Sequence, residues 1–484
     1  MKDRPPGPPP LSPPTLGEAL LPVAVMVALF IATALSMDFG AELLVVVLLC
    51  AATAAGLVAR RRGHGWDAIQ AAMGARIAEV MPALLILLAI GLLIATWVLS
   101  GTIPYMVYWG VRLISPRFLL LTAFLATAGM SLFTGTSWGS AGTIGVALVG
   151  TAAALDAPLA ATAGAVVSGA YFGDKMSPLS DTTNIAAIGA GAELFAHIRH
   201  MLWTAGPSFV ACLLVYGLAP AAGPTPGAAP ADTGPFLAHL DAVFVLHPVA
   251  LVPPIVVVWG IARRTPAALA IASASAVALA IGIGLQGFEA QDALVAAVAG
   301  FDPDMIRPLG IDPTGLDPRL LALVERGGLF SMGTTLVIVF AAFLLAAAME
   351  VYGALDRLIA ALLSAVRGVF GLIAATMAAG ASMIALTSHG GVTALVVGGL
   401  FQPAYDDQGL ARVNLSRSLE DSVTITEPLM PWTVSAVFMA STLGVATTAY
   451  LPWAVFNYGG PLLSLLIAAL FGRTGLGIRT REPG

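Results

Sequence analysis

Along the chain, apolar positions run together in long blocks, and polar positions gather in short clusters between these blocks and also inside them. Blocks near the roughly 20 residues that cross about 30 Å of hydrocarbon lie at 20–37, 41–59, 82–99, 202–218, 242–261, 266–285, 329–349 and around 461–470. The pattern predicts an all-α polytopic membrane protein, with no stretch left for a soluble catalytic domain. Two further helix-break-helix units, at about 118–155 and about 369–403, are interrupted by Gly/Ser/Thr clusters and read as re-entrant hairpins. The expectation is about ten transmembrane helices in addition to these two hairpins, arranged as inverted repeats with broken helices.

Composition agrees. Hydrophobic residues make up 58% of the chain and charged residues 10%, and the mean hydropathy is +0.91, far from a soluble domain. Cys50 and Cys212 fall inside apolar blocks and read as small buried hydrophobes, not as a disulfide or metal pair. The net charge of −5 is spread over loops, with no basic block that would suggest nucleic acid. Lys2 and Arg4 precede an apolar run, but the proline-rich stretch between them argues for a disordered cytoplasmic tail, 1–18, and a retained first helix. Arg60 to Arg62, Arg199 with His197 and His200, Arg263 and Arg264, Arg357 and Arg367, and Arg473, Arg479 and Arg481 mark cytoplasmic loops. Both termini are then cytoplasmic, and 219–235 and the loop from about 286 to 328 lie outside.

The chain also repeats itself. Residues 129–139, GMSLFTGTSWG, align with 380–390, GASMIALTSHG, at a shift of 251 residues with five identities: Gly129/Gly380, Ser131/Ser382, Thr136/Thr387, Ser137/Ser388 and Gly139/Gly390. Gly101 pairs with Gly353 and Pro178 with Pro428 at nearly the same shift. Each copy reads as a hairpin followed by a helix broken at a polar stretch, GDKMSPLSD within about 158–198 and LEDSVTITEP within about 412–444. The expected organisation is a tail (1–18), N-terminal helices (19–81), a first repeat (82–219), linker spans and external loops (220–328), a second repeat (329–471) and a cytoplasmic tail (472–484). An odd number of crossings between the copies inverts the second. Inverted repeats with broken helices and a midplane site are the architecture of secondary transporters. Non-helical backbone at membrane depth is tolerated only where it is buried in protein or lines a watery cavity, so the four breaks should converge.

The polar stretch 168–184, SGAYFGDKMSPLSDTTN, carries the chemistry. Gly173 and Pro178 argue against a helix between Asp174 and Asp181. Unwinding would aim the oxygens of Asp174, Ser177, Ser180, Asp181, Thr182, Thr183 and Asn184 inward, the donor set a hard cation such as Na⁺ takes. With Thr136 and Ser137 of the first hairpin, the expected Na⁺ ligands are Asp174, Asp181, Asn184 and Ser137. The second copy offers Thr387, Ser388, His389, Glu420, Asp421, Thr424 and Glu427. A carboxylate in a low-dielectric cavity also holds H⁺ more tightly, so one group can take either ion, and that competition is exchange. Lys175 can pair with an aspartate or attract an anionic substrate.

Plainer readings are a solvated loop for 168–184, a small-residue contact face for TGTSWGSAG, and a hydrogen-bonded core position for His389. Asp406 and Asp407, between Pro403 and Gly409, read as a surface turn. Gly135, Ser137 and Gly139 spell G-x-S-x-G, and with His389 they raise an intramembrane serine hydrolase; in a chain with 52 glycines that spelling is cheap. A simple channel is the other rival. The expectation is a transporter, not an enzyme, with no cofactor beyond the transported Na⁺ and H⁺.

GDKMSPLSDTTN, NLSRSLEDSVTITEPLMPW and TGTSWGSAGTIGVAL together resemble the NhaC-type sodium/proton antiporters, from about residue 82 to 460. The resemblance implies membership of the ion transporter superfamily, a bacterial cytoplasmic membrane location and a homodimer, with a scaffold domain and an elevator-type transport domain carrying two hairpins. It places the ion site at Asp174, Ser177, Asp181, Thr182 and Asn184, and in the second copy at Glu420, Asp421 and Thr424. Two positions depart from the family pattern. His389 stands where an acidic residue is usual, and Glu427 where a small polar one is usual. Relatives that exchange malate or lactate keep an organic-acid antiporter as the alternative.

Overall fold

The computed structural model describes residues 12–36, 40–219, 232–471 and 475–481. Among them, extended pairing is confined to one bridge between Leu410 and Thr480. Residues 1–11 of the expected tail, most of the expected external segment 219–235 and Arg473 lie outside the described residues.

Helix α1 (Leu16–Ser36) begins inside the stretch expected to be disordered. The reason is a reciprocal capping box: Thr15 N–H donates to Glu18 Oε2 at 2.8 Å, and Glu18 N–H donates to Thr15 Oγ1 at 3.2 Å. After α2 (Ala41–Arg61), α3 (Trp66–Leu99) runs for 34 residues. That is about 51 Å at 1.5 Å per residue, well beyond the hydrocarbon core. The span expected at 82–99 is its second half. Pro82 lies inside the helix and does not start it, because neighbouring helices make a lost backbone bond tolerable in a membrane.

Gly101, at φ 74°, turns the chain into the amphipathic α4 (Thr102–Leu113). The first hairpin follows: α5 (Leu119–Thr134), a tip at Gly135 and Thr136, and a return through Ser137–Ser140 and a π-helical turn, Ala141–Gly145, into α6 (Val146–Ala154). The broken helix is α7 (Leu159–Met176) and α8 (Asp181–Ala190), and α9 (Leu194–Leu218) crosses back.

The span expected at 242–261 is instead a corner, Gly234–Val243 and Pro248–Ala262 bent by 92°. Pro248 disfavours helical geometry at His247 and supplies no N–H. Then come α10 (Val252–Ala262), α11 (Ala267–Gly284) and a run of short helices up to Met332. The second copy is α12 (Gly333–Val351), α13 (Ala354–Ser364), the hairpin α14 (Gly368–Thr387) and α15 (Gly390–Asp407), the broken helix α16 (Arg412–Leu419) and α17 (Val434–Leu443), and finally α18 (Val455–Phe471). Among the described residues, eight helices are long and apolar enough to cross a membrane, or up to ten if each bent pair is one span.

Gly173, read from the sequence as a breaker, is a contact. A Cβ there would lie 2.5 Å from Leu132 N and 2.6 Å from Ser131 Cβ. With Gly169 it forms a Gly-x-x-x-Gly stripe that brings α7 onto the backbone of α5. The helix therefore persists through Asp174 and Lys175 to Met176, and the break shrinks to 177–180. Two smaller expectations also change. Cys212 is buried but Cys50 is exposed on α2. The surface turn expected at Asp406 and Asp407 is the last turn of α15, where Asp406 is partly buried against Arg412 at 2.5 Å.

Backbone geometry sets the repeat in a different register from the five identities. The left-handed residue ending the first hairpin arm is Gly135 (φ 68°) in one copy and Ser388 (φ 53°) in the other. Ser180 caps α8 and Thr433 caps α17; Gly191 (φ 67°) and Gly444 (φ 69°) end them. Each of these pairs differs by 253 in residue number, as do the starts of α7 and α16. The bond from Ser177 N–H to Asp174 O at 3.1 Å recurs from Met430 N–H to Glu427 O at 3.2 Å. In this register Asp174 corresponds to Glu427, Ser137 to Gly390 and Thr136 to His389.

Candidate ion-binding site

Pro178 forces the first break, since it has no N–H and disfavours helix at Ser177. The surrounding hydroxyls repair the damage. Ser180 Oγ accepts from Thr183 N–H at 3.4 Å, and Thr183 Oγ1 donates to the carbonyls of Asp174 and Lys175, both at 3.2 Å. Ser177 Oγ accepts from Leu179 N–H, and Thr182 Oγ1 shares a hydrogen bond with Ser180 Oγ. In the second copy the helix widens at a π turn, Glu420–Thr424, before Pro428 and Pro431 interrupt it. Inserted π turns recur at functional sites because they displace side chains around the helix.

At the first hairpin tip Thr136 Oγ1 accepts from Gly139 N–H at 3.1 Å. At the second, His389 Nδ1 accepts from Val392 N–H at 3.2 Å. Both are helix caps of one kind, with an acceptor side chain bonding an N–H three residues on. Nearby, Thr387 Oγ1 bonds Thr393 Oγ1 at 2.8 Å, and the buried hydroxyl of Ser388 has no partner. Helices starting at Ser137, Asp181, Gly390 and Val434 thus bring four N-termini to the chain breaks, each a source of partial positive charge.

Of the four expected Na⁺ ligands, the fold joins two. Ser137 Oγ donates to Asp174 Oδ2 at 2.9 Å, and both are buried. Asp181 is exposed and lines a vestibule of about 690 Å³ with Thr136, Pro178, Asn184 and Arg264. Asn184 is turned to its own break, its amide donating to Pro178 O at 3.0 Å and Ser180 O at 2.7 Å.

Lys175 pairs with Asp421 across the two copies, both side chains fully buried. Thr204 Oγ1 also donates to Asp421 Oδ1, at 3.3 Å. Both carboxylate oxygens of the neighbouring Glu420 are buried without a hydrogen-bond partner. Thr424 is buried in the same π turn. Glu427 is buried beside Ser435 and close to Tyr171. Among the described residues no group of three or more His, Cys, Asp or Glu could hold a metal ion. Single carboxylates with hydroxyl and carbonyl oxygens nearby are donors of the kind Na⁺ takes.

Several participants escaped the sequence reading. Thr204 on α9 and Asn457 on α18 correspond in the structural register. Each bonds the second broken helix, Thr204 through Asp421 and Asn457 through its amide to Ile425 O at 2.9 Å. A lone polar residue within an apolar run was the available signal for both. Arg417, fully buried and donating to Gly477 O at 2.6 Å, was hidden because an Arg among serines looks like a loop.

Buried carboxylates at paired chain breaks, inside a bundle of membrane-length helices, define a secondary transporter that handles small cations. A model of the Na⁺/H⁺ antiporter family matches residues 169–473, and the chain belongs to that family. It is 42% identical to an uncharacterized Na⁺/H⁺ antiporter of Haemophilus influenzae, over 96% of this chain and 97% of that one. It is 35% identical to the Na⁺/H⁺ antiporter NhaC of Alkalihalophilus pseudofirmus, over 96% of both. At 29% identity it also resembles the malate-2H⁺/Na⁺-lactate antiporter of Bacillus subtilis, over 96% of this chain and 95% of that one. The family is one of transporters, which sets aside the serine hydrolase. Ser137, the serine of G-x-S-x-G, donates its proton toward a carboxylate and not toward a histidine.

Proposed function

We propose that the protein exports Na⁺ in exchange for H⁺ at the chain breaks of its two repeats. One observation carries the reading. Apart from Arg76, which is paired with Glu350, four buried carboxylates, Asp174, Glu420, Asp421 and Glu427, stand with two buried cationic groups, Lys175 and Arg417, on the broken helices. Two uncompensated negative charges in a membrane interior would cost several kcal/mol each. They are neutralised by protons or by bound Na⁺, and a group that can hold one ion or the other, but not both, exchanges them.

Asp174 is the principal ligand, positioned by Ser137 at the tip of the first hairpin. A carboxylate held there by a hydroxyl can take either a proton or Na⁺, and the competition between the two ions is the exchange. The vestibule lined by Asp181 and Thr136 is the access path, and Arg264 in its lining, next to Arg263, supports a cytoplasmic opening. In this reading the chain sits in a bacterial cytoplasmic membrane with both termini inside. The two copies are inverted, and the hairpins and broken helices move as the transport body of a homodimer.

The likeness to a malate-2H⁺/Na⁺-lactate antiporter raises organic-acid exchange as the second reading. Its two anchors are already committed, Lys175 to Asp421 and His389 Nδ1 to a helix cap, which favours the cation. The test is a proteoliposome assay with a pH-sensitive dye, scanned with Na⁺, Li⁺, K⁺ and a panel of carboxylates. Na⁺-dependent dissipation of ΔpH is expected, abolished by Asp174→Asn. Dissipation by carboxylates alone would refute the proposal.

A further inference from the structure

Asp174 and Glu427 hold the same place in the two copies, each accepting a backbone bond at the end of its half-helix. Their surroundings differ in two compensating ways. Opposite Asp174, the hairpin tip presents Ser137, whose Oγ bridges to the carboxylate at 2.9 Å. Opposite Glu427, the corresponding residue is Gly390, and a Cβ added there would lie 3.1 Å from Glu427 Oε2. Glutamate is longer than aspartate by one methylene, about 1.5 Å. The second tip lacks the side chain that would occupy that space, so the carboxylate lies directly against Gly390, the first residue of α15.

The neighbourhood also holds unspent donors and acceptors. The hydroxyl of Tyr171, only 2% exposed and outside hydrogen-bond geometry with any partner, lies near Ser435 and Glu427. Ser388 Oγ, at the same hairpin tip, is buried and equally unpartnered. A well-packed core does not leave such groups unsatisfied without a reason. His389 keeps its ring nitrogen on the Val392 N–H and leaves the charge to Glu427.

We infer that Glu427, facing Gly390 and with Ser435 and Tyr171 beside it, forms a second cation site that is the counterpart of the Asp174 and Ser137 site, so that the protein holds two Na⁺, one per copy. This agrees with the excess of two buried carboxylates and rests on the Na⁺/H⁺ reading above. Gly390 is then a specificity-determining position, because its missing side chain sets how far the acid can reach.

Radioactive ²²Na⁺ binding to the purified full-length protein at alkaline pH tests it. Wild type is expected to bind two Na⁺ per chain, and Glu427→Gln and Asp174→Asn one each. Glu427→Asp, which withdraws the carboxylate from the tip, should weaken one of the two sites about tenfold. Adding Gly390→Ser to Glu427→Asp rebuilds the first-copy geometry and should bring that site back toward wild-type affinity. Monodisperse elution of each variant separates binding loss from misfolding. A wild type that drives Na⁺-dependent ΔpH changes but binds one Na⁺ overturns this inference alone, as does a Glu427→Gln variant that still binds two. A wild type that neither binds Na⁺ nor exchanges it overturns the functional reading as well.

Discussion

Removing Lys175 should be the most costly single change in the protein interior. Its ammonium and the Asp421 carboxylate are fully buried and touch only across the boundary between the copies. Breaking a buried pair by deleting one partner typically costs about 3–5 kcal/mol, because the other charge is left uncompensated. Lys175→Met strands two carboxylates, Asp421 and Glu420, and belongs at the top of that range. Asp421→Asn strands only Lys175, and Glu420, with both oxygens free, can take the ammonium over. It should therefore cost less. The double variant Lys175→Met with Asp421→Asn leaves an apolar and a neutral group side by side and should cost less than Lys175→Met alone. At 1.4 kcal/mol per decade, Lys175→Met shifts the unfolding equilibrium by roughly three and a half decades. Reversible unfolding in mixed detergent and SDS micelles reads this directly. If Lys175→Met is as stable as wild type, or if the two single effects simply add, the pair is not the buried counter-charge described here.

Four shorter expectations follow from single contacts. Ser388 sits at φ 53°, where a side chain costs about 1 kcal/mol, so Ser388→Gly should stabilise the protein by about that much in the same unfolding assay unless its hydroxyl holds an ion. His389→Ala removes a helix cap and should cost about 1 kcal/mol, while His389→Asn keeps an acceptor and should cost a few tenths; equal losses would mean that the ring serves something else. Gly173→Ala drives a Cβ into the backbone of α5 and should destabilise by about 1–3 kcal/mol, with loss of transport in proportion to folded protein. Asp181→Asn, at the vestibule, should raise the Na⁺ concentration for half-maximal exchange and spare the maximal rate, whereas Asp174→Asn should abolish exchange; identical null phenotypes would place Asp181 in the binding site itself.

Much of this architecture could be read from apolar block length alone, because a membrane leaves helices and closed barrels as the only spanning structures. The errors came where one residue type does two jobs. Gly173 looked like a breaker, and it is a packing contact that lets α7 touch α5. Pro82 looked like a start, and a long helix runs through it. The block at 242–261 looked like one span because hydropathy does not register a corner, although His247 and Pro248 carried the signal. Lys175 and Asp421 could each be suspected of a partner, but nothing in the letters joins residues on opposite copies of a repeat.

The repeat register shows why the site itself was harder to read than the fold. Matching identical letters put Thr136 opposite Thr387 and Ser137 opposite Ser388, and in that register Glu427 has no counterpart among the acids. Helix termini are conserved by role and not by letter. A left-handed position can be Gly135 or Ser388, and a cap can be Thr136 or His389, because what each must supply is a backbone angle or one acceptor atom. Aligned by role, His389 and Glu427 can be read together. An acid at position 389 would supply both a cap and a charge at the hairpin tip. Here the two duties are divided: the imidazole of His389 retains the cap, and the charge arrives from Glu427 across the tip, through the space Gly390 leaves open. In the first copy a hydrogen bond from Ser137 to Asp174 ties the hairpin to the broken helix; in the second, the Glu427 carboxylate of the broken helix lies against Gly390 of the hairpin with no side chain between them.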